Sequence, residues 1–258
     1  MKKLLIPALT LTLALGACKT QLLQEAINAA GQLNTQTLPW KPSAEEASQG
    51  LKEALLQGVS LSTKGLAGPG PGSFLQSSYK IFMPAELQEL EAKVRGSKVL
   101  NPLIGPSIDS VILAMNLGAQ NAMQKALPLF SNSVKNMSFA DALGILTGGQ
   151  GAATRYFQEN LEGELQTAFY PDVQAALDGV RLGQHWNKAA NLINKNQRLL
   201  GLSQPVEADL NRYVTQQATT ALFAEVRKAE DQIRLDPVAR TTDMMKKVFE
   251  YASQNSTP

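Results

Sequence analysis

The sequence is poor in the side chains on which most chemistry depends. It has one cysteine among 258 residues, Cys18, so no disulfide can form within the chain and stability must come from packing. It has one histidine, His185, which rules out a multi-histidine metal site within one chain. There is no G-x-S-x-G nucleophile elbow. Aromatic residues make up 6%, too few to favour a β-sandwich or barrel, whereas Leu, Ala and Gln abound and favour helices. Neither sign of charge gathers into a block. Of the 24 basic residues, Lys2 and Lys3 sit at the extreme N-terminus, and the other 22 balance the 22 acidic ones. A balanced chain without a basic block argues against nucleic acid as a partner.

What is present starts with a leader. Lys2 and Lys3 precede a mostly apolar run from Leu4 to Leu15, closed by Gly16, Ala17 and Cys18. Charged, apolar, small is the order of a secretory signal. The run is shorter than the roughly 18 apolar residues needed to span a bilayer. A cysteine directly after the small pair resembles the lipobox of bacterial lipoproteins. The resemblance implies removal of residues 1–17, acylation of Cys18 by palmitate-type chains, and a membrane anchor made of lipid rather than of basic residues. The plainer alternative is a secretory leader with an incidental thiol. The expected location is the cell envelope, facing the periplasm. Lys19 stands where an aspartate is associated with inner-membrane retention, which favours the outer membrane.

Residues 18–42 read as a tether, rich in Gln, Asn and Thr, with Leu22, Leu23, Ala26, Ile27, Ala30 and Leu33 spaced for one amphipathic helix. Trp40, bracketed by Pro39 and Pro42, is expected to pack the tether onto the domain. Residues 43–250 read as one helical domain, and 251–258 as a flexible tail. Ser43 and Glu46 form a capping box ahead of Ala47, Leu51, Ala54, Leu55 and Val59. Gly65 to Gly72 is loop, and Tyr79 to Pro84 is an extended strand or arm. Asn101 to Pro106 is predicted to be a second loop. Ser107 to about Ala126 is the most apolar helix, with Ala114 and Gly118 small enough for close contact, and Pro128 is expected to break it. Ser138 and Asp141 cap a short helix ending at Gly148-Gly149. The next helix is expected to split or bend at Pro171. A long one is predicted from Pro205, and Val238, Thr242, Met245, Val248 and Phe249 mark the last apolar face. Helix follows helix through short loops, so the fold class is all-α, a multi-helix bundle-like domain.

Three stretches then carry a family resemblance. They are Gly50-Leu51-Lys52-Glu53-Ala54-Leu55; Phe139 to Leu146 with Gly148-Gly149, Ala152-Ala153-Thr154 and Tyr156-Phe157; and Ala239-Arg240-Thr241-Thr242-Asp243 with Lys247-Val248-Phe249. Together they resemble the bacterial domain-of-unknown-function family 4197. The resemblance covers about Ser43 to Glu250 and implies export and a mainly helical domain, with no established activity or site.

Few motifs offer chemistry. Ser77 to Lys80 matches the S-x-x-K of penicillin-recognising enzymes, but its surroundings read as extended and no K-T-G follows. Gly148 to Gly151 is a glycine turn that could cradle a phosphate at the next helix start, though a hinge needing positive φ suits it better. Glu159 and Glu162 read as a solvated face. The candidate polar cluster is Asp141, Arg155, Arg240, Thr242 and Asp243, with Arg240 and Asp243 three apart and spaced to pair on a helix surface, and Asp141 and Arg155 flanking the glycine turn. No catalytic set, metal site or cofactor is read from these residues. The expected function is a non-enzymatic, lipid-anchored binding domain for an envelope protein or apolar ligand. The alternative is a hydrolase of envelope material using Asp141, Glu159 and Asp243.

Overall fold

The computed structural model describes residues 40–198 and 201–255. The leader, Cys18 and the tether to residue 39 lie outside the described residues, as do residues 256–258. The chain divides into a unit Met1–Lys41 and a unit Pro42–Pro258, the second being the helical domain. Its helices are α1 (Ala44–Ala67), α2 (Ala85–Gly96), α3 (Leu100–Ala122), α4 (Ala126–Asn136), α5 (Phe139–Thr147), α6 (Ala152–Asp178), α7 (Arg181–Gln184), α8 (Trp186–Lys195), α9 (Leu210–Leu235) and α10 (Asp243–Asn255). Turns of 3-10 helix lie at Met123–Lys125 and Pro237–Ala239. No strand forms among the described residues, so the domain is all-α.

Local chemistry sets the starts of two helices as the sequence predicts. At α1 the Ser43 backbone N–H donates to Glu46 Oε2 (2.8 Å), and the Glu46 N–H donates to Ser43 Oγ (3.2 Å). At α5 Ser138 and Asp141 form the same reciprocal pair. Each box satisfies helix-start N–H groups that otherwise have no partner. The long helices then bury one face each. Helix α6 packs against both α3 and α9, α9 packs against α1, and α1 in turn carries α4, α5 and α10. Phe130 of α4 meets Phe157 of α6 edge-on with ring centres 4.8 Å apart. Gly118 lets α3 approach α6 closely, since a Cβ there would come within 3.0 Å of the Val173 Cα. Leu51, Met115, Phe157, Leu165 and Leu222 are fully buried, each stabilising by about 1.5–3 kcal/mol. By length and composition the stretch Leu100–Asn136 would suffice to cross a membrane. Its Val111, Met115, Ala119, Ala122 and Met123 are buried in the domain core, however, so it serves as a core helix.

The arm expected at residues 79–84 is a turn at Tyr79 followed by an irregular segment to Pro84, with no strand beside it among the described residues. Buried Asn116 of α3 takes the place of a neighbouring strand. Its Oδ1 accepts from the Ile81 N–H (2.8 Å), and its Nδ2 donates to the carbonyls of Ile81 (2.8 Å) and Ile112 (2.7 Å). Tyr213 Oη donates to the Phe82 carbonyl at 3.1 Å.

Several boundaries differ from the expectation, and proline accounts for most. Asn101 to Pro106 is helical, not loop: Pro102 falls in the first turn of α3, where a missing N–H costs nothing. The break before Pro128 comes at Met123–Lys125, because a continuous helix would need an N–H at 128 for the Gln124 carbonyl. Pro171 does not split α6, which is held on two sides by α3 and α9. Helix α9 starts at Leu210 rather than Pro205, since the Asp209 carboxylate accepts from the Arg212 N–H (3.0 Å) and fixes the cap there. Val238 is 88% exposed in the 3-10 turn and not on the last apolar face. The expected tail is shortened, because α10 continues to Asn255.

Candidate functional site

The residues of the polar cluster lie in two places, and each is occupied in holding helix ends. Arg240 precedes α10 and is buried. Its Nε donates to the Ile233 carbonyl (2.9 Å) and its Nη2 to the Arg234 carbonyl (2.9 Å), closing the C-terminus of α9 with positive charge. Its guanidinium lies 5.6 Å from the centre of the Phe249 ring. Burial lowers the Arg240 pKa, with Glu250 and Asp236 acting in the opposite sense. The expected pairing of Arg240 with Asp243 does not form; Asp243 meets Lys246 on the exposed start of α10 (3.2 Å). Thr242 faces inward. Its Oγ1 accepts from the Met245 N–H (3.1 Å) and donates to Glu53 Oε2 of α1 (2.6 Å). Gln57, one turn on, donates to the Ala239 carbonyl (2.6 Å) and accepts from Thr241 Oγ1. About one turn before Glu53, Gly50 leaves room for Val248, whose side chain a Cβ would strike.

The second place is the glycine turn between α5 and α6. Gly149 and Gly151 take φ of +71° and +75°, as the hinge reading requires. Arg155 folds back on the turn and donates to the Gln150 carbonyl at 3.3 Å. Asp141 is not its partner. That carboxylate sits at the other end of α5 and accepts from the Ser138 hydroxyl (2.6 Å). Desolvation, followed by the field of Asp141, pushes the neighbouring Tyr156 phenol up. The N–H groups at the start of α6 are not open to a phosphate either. Glu230 of α9 fills that position: its carboxylate accepts from the Ala153 N–H (3.1 Å), the Thr154 N–H (3.0 Å) and Thr154 Oγ1 (2.8 Å).

Glu230 is buried and pairs with Arg234 one turn on, Nε to Oε1 at 3.0 Å. Arg234 also donates to the carbonyls of Ile145 (2.7 Å) and Leu146 (3.2 Å) at the end of α5. One i, i+4 pair on α9 therefore puts an anion at a helix N-terminus and a cation at a helix C-terminus, each matched to the local dipole. Sequence reasoning missed both residues. The available signal was an acid set among the buried positions Leu222, Val226 and Ile233 of α9. The void beneath the pair, between Leu55, Val59, Phe157 and Phe249, is about 20 Å³, enough for one water and too small for a substrate.

A model of one protein family, described as a protein of unknown function (DUF4197), matches residues 41–250. The chain belongs to the DUF4197 family. No curated protein and no solved structure matches it. In this DUF4197 domain the stretches that suggested the family meet around α1 and α9: Glu53 holds Thr242, and Glu230 and Arg234 hold the glycine turn. The remaining acids do not assemble into a site. Glu159 lies on the exposed face of α6, away from any such bond, and no group of three or more His, Cys, Asp or Glu that could hold a metal occurs among the described residues. Ser77 and Lys80 are in a turn, with Ser77 Oγ accepting from the Tyr79 N–H (3.1 Å) and Lys80 over the Phe82 ring. His185 is exposed at the cap of α8.

Proposed function

We propose that this DUF4197 protein is a non-enzymatic interaction module of the cell envelope, attached to the outer membrane through acylated Cys18 and facing the periplasm. The observation that carries the reading is the outer face of α5. Phe139 and Leu143, four residues apart, are 43% and 44% exposed, while Ala142, Ile145 and Leu146 on the other side of the same short helix are buried. Ala140 and Gly144 lie exposed beside them and leave a smooth apolar strip. Asp141 and Arg234 fix the two ends of that helix, so the strip is held rigid before a partner arrives, which lowers the cost of binding. Of the acids named for a hydrolase, Asp141 serves a cap, Asp243 pairs with Lys246 on the surface, and Glu159 stands exposed on α6.

The test is photo-crosslinking in intact cells from a probe at Leu143, with Phe139→Ser as the control. A discrete adduct that Phe139→Ser reduces supports the module. Its absence from Leu143 overturns the module, and turnover of peptidoglycan fragments, glycans or phospholipids that disappears in an Asp141→Asn, Asp243→Asn double variant replaces it with the hydrolase.

A further inference from the structure

The first two turns of α3 stand out from the domain. From Leu100 to Ser107 every residue except Gly105 is exposed. Val99 and Leu103 are 70% and 72% exposed, and Leu100 and Ile104 also present large apolar side chains to solvent. This is a convex spur rather than a groove. Phe82 and Leu113, both exposed, extend the apolar surface to a shallow depression that they share with Arg95 and Asp109.

We infer that this spur inserts into the interfacial layer of a lipid bilayer. Two features favour lipid over a protein surface. The first is the main chain. A helix start ordinarily leaves N–H groups bare, and bare groups are costly away from water. Here Ser97 Oγ accepts from the N–H of Val99 (3.3 Å) and of Leu100 (3.1 Å), and the Ser97 carbonyl accepts from the Asn101 N–H (3.0 Å). Residue 102 is proline and has no N–H. The N–H groups of the tip are thus satisfied, and Asn101 is the one polar side chain among the exposed Val99, Leu100, Pro102, Leu103 and Ile104. The second feature is charge. Between Arg95 and Asp109 the sole ionisable side chain is Lys98, placed to reach lipid phosphates from the base of the spur. Arg95 bridges Asp109 at 2.8 Å and Glu91 at 2.7 Å, and with Lys98 these charges balance, so no net negative charge at the base of the spur opposes a lipid surface. Depth is limited by the Pro102 carbonyl, which Pro106 deprives of its helical partner; it needs interfacial water, so the spur stops at headgroup depth and does not span.

This contact is separate from the acyl anchor, and the test removes the anchor. In the chain from residue 18 onward carrying Cys18→Ala, so that neither the apolar leader nor the acyl site is present, Leu103→Cys supplies the one thiol for an NBD fluorophore; Leu61→Cys, also exposed, supplies the comparison. With mixed phosphatidylethanolamine–phosphatidylglycerol vesicles, the label at 103 is expected to shift to the blue and to be quenched by lipids brominated near the headgroup, and the label at 61 to do neither. Leu103→Ser with Ile104→Ser should reduce vesicle co-sedimentation at least about tenfold, with unchanged circular dichroism because neither side chain is in the core. A label at 103 that stays in water while vesicles are present overturns the inference. So does a blue shift that depends on protein concentration without vesicles, which would assign the spur to self-association.

Discussion

Replacing Glu230 is the most direct test of the bracket between α9 and the glycine turn. In Glu230→Ala the N–H groups of Ala153 and Thr154 lose their acceptor. The Arg234 side chain, 11% exposed, keeps the carbonyls of Ile145 and Leu146 but loses its carboxylate. Removing one member of a buried pair typically costs about 3–5 kcal/mol. A lost helix cap taken alone costs about 0.5–2 kcal/mol. The two overlap at the same oxygens and do not add, so the expected loss is about 3–5 kcal/mol. In a domain of this size 1 kcal/mol moves Tm by roughly 2–4 °C, which gives a fall of about 6–20 °C by calorimetry or circular dichroism. Glu230→Gln retains one oxygen and should fall between. Glu230→Leu with Arg234→Met should recover much of the loss, because apolar side chains of similar volume replace buried pairs well. A loss below about 1 kcal/mol in Glu230→Ala would show that neither the cap nor the buried pair carries weight in the fold, and the reasoning would fail.

Asn116→Leu removes the partner of both Ile81 main-chain groups, at about 1–3 kcal/mol for each left bare. Hydrogen exchange at the Ile81 amide should accelerate toward the rate of an unprotected amide, and retained protection would show that something else holds the arm. The Glu46 carboxyl is held below its ordinary pKa by its bond from the Ser43 backbone and then by the Ser43 hydroxyl. Its folded pKa is lower than its unfolded one, so its stabilisation is complete above the unfolded value of about 4.3 and disappears as pH falls through the folded value. The Tm gap between wild type and Glu46→Ala should therefore be constant near neutrality and shrink below about pH 4; a gap that persists in strong acid contradicts the cap.

Local rules were legible wherever the chemistry is local. Both capping boxes need only residues three apart, and both form as the sequence predicts. The positive φ at Gly149 and Gly151 is a property of a tight turn alone. Proline misled where its position within the helix mattered more than its presence: Pro102 sits in a first turn, and Pro171 lies under two packed helices. The pairing of Arg240 with Asp243 failed for a related reason. Spacing of three brings side chains together only when both residues are helical, and Arg240 lies ahead of α10, where its guanidinium turns back to α9. Glu230 was invisible because its partners at 153 and 154 lie more than seventy positions away. An isolated acid on a helix ordinarily belongs to the solvated face.

The same geometry decides where function can be sought. The motifs of α1, the glycine turn and the segment before α10 are distant in sequence, yet Glu53, Thr242, Glu230, Arg234 and Arg240 bind one helix end to another throughout. A substitution at any of them removes a cap or bares a buried charge, so lost function there would report lost structure first. Exposed apolar side chains do not share that difficulty. Phe139 and Leu143 on α5, and Leu103 and Ile104 on α3, bear little of the core, and their polar replacements cost little stability. A function that vanishes with these residues while the fold persists belongs to the surface. One that vanishes only with Glu230 or Arg240 belongs to the scaffold that holds the surface in place.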